Sequence, residues 1–237
     1  MRLGQRIAVV IPALNEERAI GRVLAEIPSW VDRVVVADNG SRDRTADVAA
    51  EAGAIVVREP APGYGTACLK GIAAAGAADI IVFLDGDYSD HPAEMASLVD
   101  PIADGGSDLV IGSRVLGKRE AGSLTPQQRF GNGLATWLIR AIWGVAFTDL
   151  GPFRAIRGSA LAKLQMRDRN YGWTVEMQIK AAILGLRCVE VPVSYRRRIG
   201  VSKVSGTIKG TVLAGTKILS LIALYGLRLR RVPPRTH

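Results

Sequence analysis

The sequence is poor in the residues on which several large enzyme classes depend. Only two histidines occur in the 237 residues, His91 and the terminal His237. Their scarcity argues against a Ser-His-Asp hydrolase and against a histidine-rich zinc site. The two cysteines, Cys68 and Cys188, form neither a disulfide framework nor a metal-ligand spacing. We expect both thiols to be reduced, which favours a cytoplasmic location.

Common phosphate-binding and targeting motifs are also missing. No Gly-x-Gly-x-x-Gly follows the first predicted strand, and the chain has no Walker lysine motif. Both absences disfavour dinucleotide-binding and P-loop proteins. The first apolar run, residues 7–11, is too short for the hydrophobic part of a signal peptide. We therefore expect no N-terminal targeting segment.

Acidic residues are nearly absent from the C-terminal region. From Arg187 to the end there are eleven Lys or Arg and one acid, Glu190, so this region accounts for the formal charge of +9. A basic segment attracts phosphates, nucleic acid or an acidic membrane surface. With four Phe, five Tyr and no base-stacking motif, a nucleic-acid-binding module is disfavoured. A solubilising tail remains open as the simplest explanation.

Short apolar runs alternate with helical stretches along the chain. The predicted strands are residues 7–11, 34–37, 55–57, 80–84, 109–111 and 189–195. The predicted helices are residues 16–27, 44–52, 66–75, 93–103 and 126–143. This alternation predicts an α/β fold with a mostly parallel sheet and helices on both faces. Pro192 favours an edge position for the last strand.

The C-terminal residues form a separate basic and apolar segment. Residues 206–227 are nearly long enough to cross a bilayer, but Lys217 lies near their middle. We expect an amphipathic helix on the membrane surface, with Arg228, Arg230 and Arg231 beside anionic lipid. Packing on the protein itself, or on a second subunit in a homo-oligomer, is the alternative. The chain thus divides into a domain of residues 1–205 and an amphipathic segment of residues 206–237.

Two carboxylates, Asp85 and Asp87, follow the fourth predicted strand directly. Ligands of α/β proteins bind at the carboxyl ends of strands. A cation such as Mg²⁺ takes one or two protein carboxylates and leaves its other positions to phosphates and water. On its own an Asp-x-Asp motif is more often a solvated turn, so the residues at the other strand ends decide the case.

Polar or glycine-rich residues stand at the other strand ends. Glu16 and Asp38 could accept hydrogen bonds from a ribose or a base, whereas helix capping and turn formation are the alternatives. Gly63 and Gly65 open the third helix, where backbone amides could approach a ligand or the glycines could serve only the turn. Taken together, these strand ends favour a nucleotide site.

Further motifs complete a series that extends through most of the chain. In chain order they are Ile11-Pro12-Ala13-Leu14-Asn15-Glu16, Ala37-Asp38-Asn39-Gly40-Ser41-Arg42-Asp43-Arg44-Thr45, Asp85-Gly86-Asp87, Gly112-Ser113-Arg114, Asp149-Leu150-Gly151-Pro152-Phe153-Arg154, Trp173-Thr174-Val175-Glu176 and Gly200-Val201-Ser202-Lys203. In this combination and order the chain resembles the family 2 glycosyltransferases, which have the Rossmann-like GT-A fold. The resemblance is greatest to the dolichol-phosphate mannose synthases and polyprenyl-phosphate glucosyltransferases.

The resemblance implies roles for individual residues. The base and ribose of a nucleotide-sugar would be held by Pro12, Ala13, Glu16 and Asp38. Asp85 and Asp87 would hold Mg²⁺ or Mn²⁺ with the diphosphate. The sugar or the acceptor phosphate would be surrounded by Arg114, Arg129 and Arg154, with Asp149 facing the sugar and Glu176 the acceptor. Asp87, Asp149, Arg154 and Glu176 form the implied catalytic group. Arg197 and Lys203 would clamp the donor diphosphate or a lipid phosphate.

The implied function is an inverting transfer of a hexose from a UDP- or GDP-sugar to a polyprenyl phosphate at the inner face of the membrane. A soluble or protein-bound hydroxyl acceptor is the alternative, and it needs a carboxylate base. A lipid phosphate is already an anion and needs arginines to position it, which suits Arg196-Arg197-Arg198 unless they form only a solvated edge. A nucleotidyltransferase is less favoured, because the expected Gly-rich phosphate loop near the first strand is missing. Gly151-Pro152 stands where relatives usually carry Ser-Gly or Cys-Gly, which leaves the sugar and the acceptor open.

Overall fold

The computed structural model describes residues 1–200 and 208–229. Within them a single sheet is formed by β1 (Ile7–Ala13), β2 (Arg33–Asp38), β3 (Ile55–Arg58), β4 (Ile80–Phe83), β5 (Leu109–Ser113), β6 (Arg154–Arg157) and β7 (Cys188–Pro192). The strand order is β3-β2-β1-β4-β6-β5-β7. All pairings are parallel except those of β6, which runs antiparallel to β4 and β5. The predicted mostly parallel sheet is confirmed, and so is the edge position of the strand that holds Pro192.

The helices of the described residues are α1 (Ile20–Ala25), α2 (Thr45–Glu51), α3 (Tyr64–Ala75), α4 (Met95–Ala103), α5 (Pro126–Trp143), α6 (Gly158–Leu164), α7 (Trp173–Ile183) and α8 (Ile208–Leu229). Helices α1 to α7 lie between these strands in the chain, and α8 follows the last strand. A 3₁₀ turn, Pro92–Glu94, precedes α4. The bounds of α5 agree with the prediction because its ends are well marked. Thr125 and Gln128 form a capping box at its start, and Gly144 adopts a φ of +73° at its end.

The central strands are apolar throughout because both faces of the sheet are covered. In β1, Ile7, Val9 and Ile11 join the core on the side of α1, α2 and α4. Ala8 and Val10 join the core on the other side, to which α3, α5, α6, α7 and α8 contribute. This arrangement is typical of parallel strands buried on both faces, and it confirms the prediction of helices on both sides.

Residues 154–183 contain three elements that the sequence pattern did not predict. β6 is Arg154-Ala155-Ile156-Arg157, so charged residues stand at both of its ends and no apolar run marks it. Its inner residues Ala155 and Ile156 are nevertheless fully buried between β4 and β5. Helices α6 and α7 come after this strand in the chain, and the sequence pattern did not predict them either.

Helix α8 packs along one side against α5 and α7. On this side, Leu221 and Ile222 of α8 itself are buried in the core. The apolar residues on its outer side are exposed, and they are Leu213, Leu219, Leu224 and Leu227. No helix in the described part of the chain combines the length and the apolar character needed to span a bilayer. One side of α8 therefore packs on the protein itself, which was the alternative to membrane contact. Membrane contact by the other side of α8 stays a prediction.

Candidate active site

A cavity of about 1080 Å³ lies at the carboxyl ends of β1 and β4. Pro12 and Ala13 of β1 line it together with Asp85 and Asp87, which follow β4. Side chains from α5 and α8 line it as well. Most of the residues predicted at the strand ends therefore converge on one space, as expected for parallel strands whose carboxyl ends share an edge.

The loops after β1 and β2 are held together by hydrogen bonds. The Asn15 amide donates to Ser41 Oγ at 2.9 Å, and the Glu16 amide donates to Thr45 Oγ1 at 2.7 Å. The side chain of Glu16 thereby lies at the cavity. Asp38 is 5% exposed, does not line the cavity, and accepts a hydrogen bond from the Ser41 amide at 3.3 Å. The turn role, given as the alternative for Asp38, agrees with this contact.

Three acidic side chains crowd the turn after β4. Asp85 accepts a hydrogen bond from the Tyr64 hydroxyl at 3.0 Å, and Asp87 accepts one from the Ser89 amide at 2.9 Å. Asp90, which the sequence reasoning missed, is 1% exposed, and its Oδ1 has no hydrogen-bond partner. Burial and the charge of Asp87 raise the pKa of Asp85 to about 7. Burial and the two neighbouring carboxylates raise the pKa of Asp90 well above its usual range.

The turn after β4 fits a divalent cation whose remaining ligands are supplied by a substrate. No three His, Cys, Asp or Glu side chains within residues 1–200 and 208–229 form a metal site of their own. Asp85 and Asp87 supply the one or two carboxylates that Mg²⁺ or Mn²⁺ takes when phosphate oxygens complete its coordination. The unpartnered Asp90 Oδ1 and the mutual repulsion of the carboxylates both favour added positive charge here.

The three arginines after β7 have different surroundings. Arg196 lies 3.3 Å above the ring of Tyr88 and pairs with Glu26 at 2.8 Å. Arg197 is exposed, does not line the cavity, and donates to the Ala121 carbonyl at 2.7 Å. Arg198 lines the cavity and forms a salt bridge with Asp87. Arg198, which the motif analysis did not single out, is the arginine of this triplet that lines the cavity, and the position of Arg197 does not support the clamping role expected of it. Lys203 lies outside the described residues.

Arg114 is held at the cavity by Asp149. The guanidinium donates to both carboxylate oxygens of Asp149, at 2.8 and 2.7 Å, and also lies 5.0 Å above the ring of Tyr195. Asp149 is 1% exposed and does not line the cavity. Its burial opposes ionisation, but the hydrogen bonds and charge of Arg114 outweigh it and lower the pKa. Asp149 therefore positions Arg114, and its expected contact with the sugar stays a prediction.

Arg154 lies behind the cavity instead of facing a substrate. Its side chain is fully buried, and its guanidinium donates to the carbonyls of Gly151 at 3.1 Å and Thr174 at 3.0 Å. Burial lowers its pKa to about 10. Arg154 therefore holds together the backbone that supports the cavity wall, and its expected contact with sugar or phosphate stays a prediction.

Glu176 is also placed behind the cavity. It is 1% exposed and accepts a hydrogen bond from the Asp168 amide at 2.7 Å. Lys180 pairs with it at 2.7 Å, and the Tyr225 hydroxyl of α8 donates to it at 3.1 Å. Each of these contacts is internal and indicates an anchoring role for Glu176, whereas the expected catalytic role stays a prediction.

The two glycines before and within α3 are required by close packing. A Cβ atom at Gly63 would lie 2.1 Å from the Arg169 carbonyl oxygen, and one at Gly65 would lie 2.1 Å from that of Asp168. Gly63 also has a φ of +142°, which side-chain-bearing residues rarely adopt. Gly63 lines the cavity and Gly65 does not. The turn alternative accounts for Gly65, and Gly63 remains a candidate for ligand contact.

The part of the cavity near α5 and α8 combines arginines with apolar side chains. Arg129 and Phe130 of α5 line it, with Phe130 74% exposed, as does Ile218 of α8, and Arg119 of the loop before α5 lines the same cavity. Of the described residues that line the cavity, the carboxylates are Glu16, Asp85 and Asp87, all at the ends of β1 and β4. Positive charge and apolar surface therefore dominate the α5 and α8 side.

Comparison with known proteins gives consistent matches. The model of glycosyl transferase family 2 matches residues 8–165. An uncharacterized glycosyltransferase of Mycobacterium tuberculosis is 41% identical over 213 residues, which cover 89% of this chain and 95% of that protein. A dolichyl-phosphate hexose transferase of Haloferax volcanii is 33% identical over 227 residues, which cover 94% of this chain and 96% of that protein.

A solved structure is similar over nearly the whole chain. Glucosyl-3-phosphoglycerate synthase from Mycobacterium tuberculosis, in complex with Mn²⁺, uridine diphosphate and glucosyl-3-phosphoglycerate, aligns with a TM-score of 0.77 at 25% identity. The alignment covers 98% of this chain and 82% of that one.

Proposed function

Because the chain belongs to glycosyl transferase family 2, we propose that it transfers a hexose from a UDP- or GDP-sugar to a polyprenyl phosphate with inversion at the anomeric carbon. The family membership makes the protein a glycosyltransferase and supports a nucleotide-sugar donor. The lipid acceptor is the specific part of the proposal. It is supported by similarity to a dolichyl-phosphate hexose transferase over 94% of the chain.

The composition of the acceptor side of the cavity is the observation that carries the proposal. Arg129 of α5 lies there among apolar side chains, Arg119 lines the same cavity, and the lining residues that α5 and α8 supply within the described chain include no carboxylate. A hydroxyl acceptor needs a base to remove its proton. A phosphate oxygen is already charged and can attack the anomeric carbon once arginines hold it in place. The neighbouring apolar surface suits the hydrocarbon of a polyprenyl chain.

The donor would be bound at the ends of β1 and β4. Pro12, Ala13 and Glu16 would contact the nucleoside, and Asp85 and Asp87 would hold Mg²⁺ or Mn²⁺ with the diphosphate. The metal would neutralise charge that develops on the leaving nucleoside diphosphate. Arg114, fixed by Asp149 and lining the same cavity, would add a second positive charge near the reacting groups.

A membrane-peripheral position at the inner leaflet would give the enzyme access to its acceptor. The exposed leucines of α8 and the exposed Phe130 and Trp137 of α5 belong to two helices packed against each other. Arg228, Arg230 and Arg231 follow in the sequence. Apolar side chains beside basic ones are typical of segments that bind anionic membrane surfaces.

A phosphorylated hydroxyl acceptor is the second candidate function. It is favoured by similarity to glucosyl-3-phosphoglycerate synthase, whose complex contains a phosphorylated glucoside. The same arginines could bind the phosphate of such an acceptor, but a carboxylate base would also be needed near its hydroxyl.

A comparison of two acceptors in separate reactions distinguishes the two candidate functions. The full chain is incubated with UDP- and GDP-hexoses and Mg²⁺ or Mn²⁺, with either a short-chain polyprenyl phosphate or phosphoglyceric acid. We expect a butanol-extractable glycosyl lipid, identified by mass spectrometry, and no glycosylated phosphoglycerate. Transfer to phosphoglyceric acid alone would establish the second candidate and overturn the first.

A further inference from the structure

Arg198 lies beside carboxylates at the ends of both β1 and β4. One of its terminal nitrogens forms a salt bridge with Asp87 Oδ2, and the same nitrogen lies 3.8 Å from Glu16 Oε1. Its Nε is buried and has no hydrogen-bond partner. The side chain is 31% exposed and lines the cavity. The guanidinium therefore faces the proposed donor site with a hydrogen-bond donor still unused.

We propose that Arg198 is a stand-in cation that neutralises Asp87 before the donor arrives and transfers to the diphosphate when the donor and its metal bind. This inference rests on the proposed function, since it assumes a nucleotide-sugar with a divalent cation at Asp85 and Asp87. It adds a positioning residue and an order of events to that function.

The first argument is electrostatic. Glu16, Asp85 and Asp87 all line the cavity, so three carboxylates share one space at the ends of β1 and β4. A nearby cation lowers the cost of keeping such carboxylates ionised. Arg198 supplies one positive charge, and a divalent cation bound to Asp87 would compete with it for the same oxygen. The two cations are therefore alternatives at Asp87.

The second argument concerns the bonds that Arg198 leaves unmade. The neighbouring Arg196 is fixed by the carbonyls of Tyr88, at 2.6 Å, and Asp90, at 3.0 Å, as well as by Glu26. Among the described residues, the partners of Arg198 are instead the two carboxylates and no carbonyl. A guanidinium held only by charges can move to a stronger anion without breaking backbone contacts. A diphosphate is such an anion, and it matches the fork of donors that includes the free Nε.

The inference predicts opposite effects on metal and on nucleotide. Without Arg198, a divalent cation alone should bind more tightly because its competitor is gone. A nucleoside diphosphate with saturating metal should bind more weakly because the diphosphate loses its guanidinium. A purely structural arginine would weaken both affinities together or change neither.

The test uses the full chain with Arg198→Met, Arg198→Lys and the matched control Arg197→Met, whose side chain lies outside the cavity. Mn²⁺ affinity is measured without nucleotide from the electron paramagnetic resonance signal of free Mn²⁺. Affinity for UDP and GDP is then measured by calorimetry at saturating Mn²⁺. For Arg198→Met we expect roughly tenfold tighter Mn²⁺ binding and roughly tenfold weaker nucleotide binding, the size of one partly solvated charge contact. Arg198→Lys should lie between this variant and the wild type, and Arg197→Met should match the wild type.

Several results would overturn the inference. Unchanged or weaker Mn²⁺ binding by Arg198→Met would show that the guanidinium does not compete with the cation. Equal effects of Arg197→Met would reduce the finding to net charge. If the wild type binds UDP or GDP with Mn²⁺ and all variants bind them equally, the inference fails while the proposed donor stands. If the wild type binds neither nucleotide but Arg198→Met still binds Mn²⁺ more tightly, the proposed donor fails and the stand-in role at Asp87 is supported.

Discussion

Asp85 and Asp87 are separated by one glycine, yet their contacts differ. Asp85 is held by the Tyr64 hydroxyl of α3, whereas Asp87 is held by Ser89 in its own turn and by Arg198 from beyond β7. Three separate parts of the chain thus aim the two carboxylates at one space. At the scale of single residues, the proposed donor site depends on this convergence as well as on the motif itself.

Replacing either carboxylate should remove transfer while leaving the fold intact. For Asp85→Asn and Asp87→Asn we expect product formation to fall at least about 100-fold, because the charge of the leaving diphosphate is no longer stabilised. Initial rates with the nucleotide-sugar and Mn²⁺ measure the effect. Asp47→Asn, at an exposed position of α2, is the control and should retain the wild-type rate. Near-normal turnover in both site variants would remove these carboxylates from the proposed mechanism.

The Arg114–Asp149 pair makes a prediction about stability. Asp149→Asn would leave the guanidinium of Arg114 without its charged partner, so we expect a loss of about 3 kcal/mol in the free energy of unfolding. The lowered pKa of Asp149 gives the sign of the pH dependence: the contribution is present above the unfolded-state pKa and is lost as the pH falls through the folded-state pKa.

Urea unfolding at neutral and at acidic pH tests the role of this pair. The difference in stability between wild type and Asp149→Asn should be large at neutral pH and should shrink in acid. A difference that stays constant across this range would contradict the ion-pair explanation. Arg114→Met combined with Asp149→Asn should recover part of the stability, because it removes the unpaired charge as well.

At the scale of elements, Glu176 connects α7 and α8 through the segment that precedes α7. Its carboxylate accepts hydrogen bonds from the backbone at Arg167 and Asp168, and it is reached by Tyr225 of α8. Lys217 of α8 pairs with Asp168 at 2.9 Å. Two side chains of α8 therefore anchor this segment, and Asn170 within it lines the cavity. Helix α8 supports the site as well as offering an outer surface.

Glu176→Gln should act on stability before it acts on chemistry. We expect a loss of about 2 to 3 kcal/mol in the free energy of unfolding, since a charged acceptor of several hydrogen bonds becomes neutral. Tyr225→Phe should cost about 1 kcal/mol by removing one of them. Denaturation curves combined with kcat at a temperature well below the transition separate the two effects. A large drop in kcat at unchanged stability would instead support the catalytic role that family resemblance implies for Glu176.

At the scale of the whole molecule, charge and apolar surface are concentrated at one end of the sequence. The region from Arg187 onward is strongly basic, and α8 within it exposes four leucines. Helix α5, which packs against α8, exposes Trp137 at 62% and Phe130 at 74%. Such an apolar surface on a basic segment is suited to an anionic bilayer.

Charging the outer side of α8 should weaken binding to anionic vesicles. For Leu224→Glu with Leu227→Glu we expect much less protein to float with vesicles that contain phosphatidylglycerol, because apolar burial and attraction to anionic lipid are both reduced. Ile183→Glu with Leu184→Glu is the matched control, since both residues are exposed at the end of α7. Added salt should weaken the binding of the wild type.

Two outcomes would contradict the membrane prediction. Equal flotation of both double variants would show that α8 is not the contact surface. A wild type that fails to float, but whose mass by light scattering is halved by the α8 substitutions, would establish a homodimer built on this surface instead.

The sequence alone determined the features that depend on local pattern. Apolar runs of three to five residues marked the central strands β1, β4 and β5, because a strand buried on both faces needs no polar alternation. The helical stretch predicted over residues 126–143 has the bounds of α5. The strand-end motifs at Glu16 and Asp85 predicted residues that line the cavity, since parallel strands bring their carboxyl ends to one edge.

Tertiary structure decided everything that depends on which atoms lie behind a motif. β6 is a central strand because it pairs with β4 on one side and with β5 on the other. Its charged end residues leave no apolar run by which the sequence could reveal it. Within three consecutive arginines, only the packing of neighbours assigns Arg196 to Tyr88 and Arg198 to Asp87. Asp149 and Glu176 belong to family motifs but are buried, and their carboxylates form ion pairs with Arg114 and Lys180 inside the protein. A motif specifies which groups are present, whereas desolvation and contacts across distant parts of the chain decide which of them remain available to a substrate.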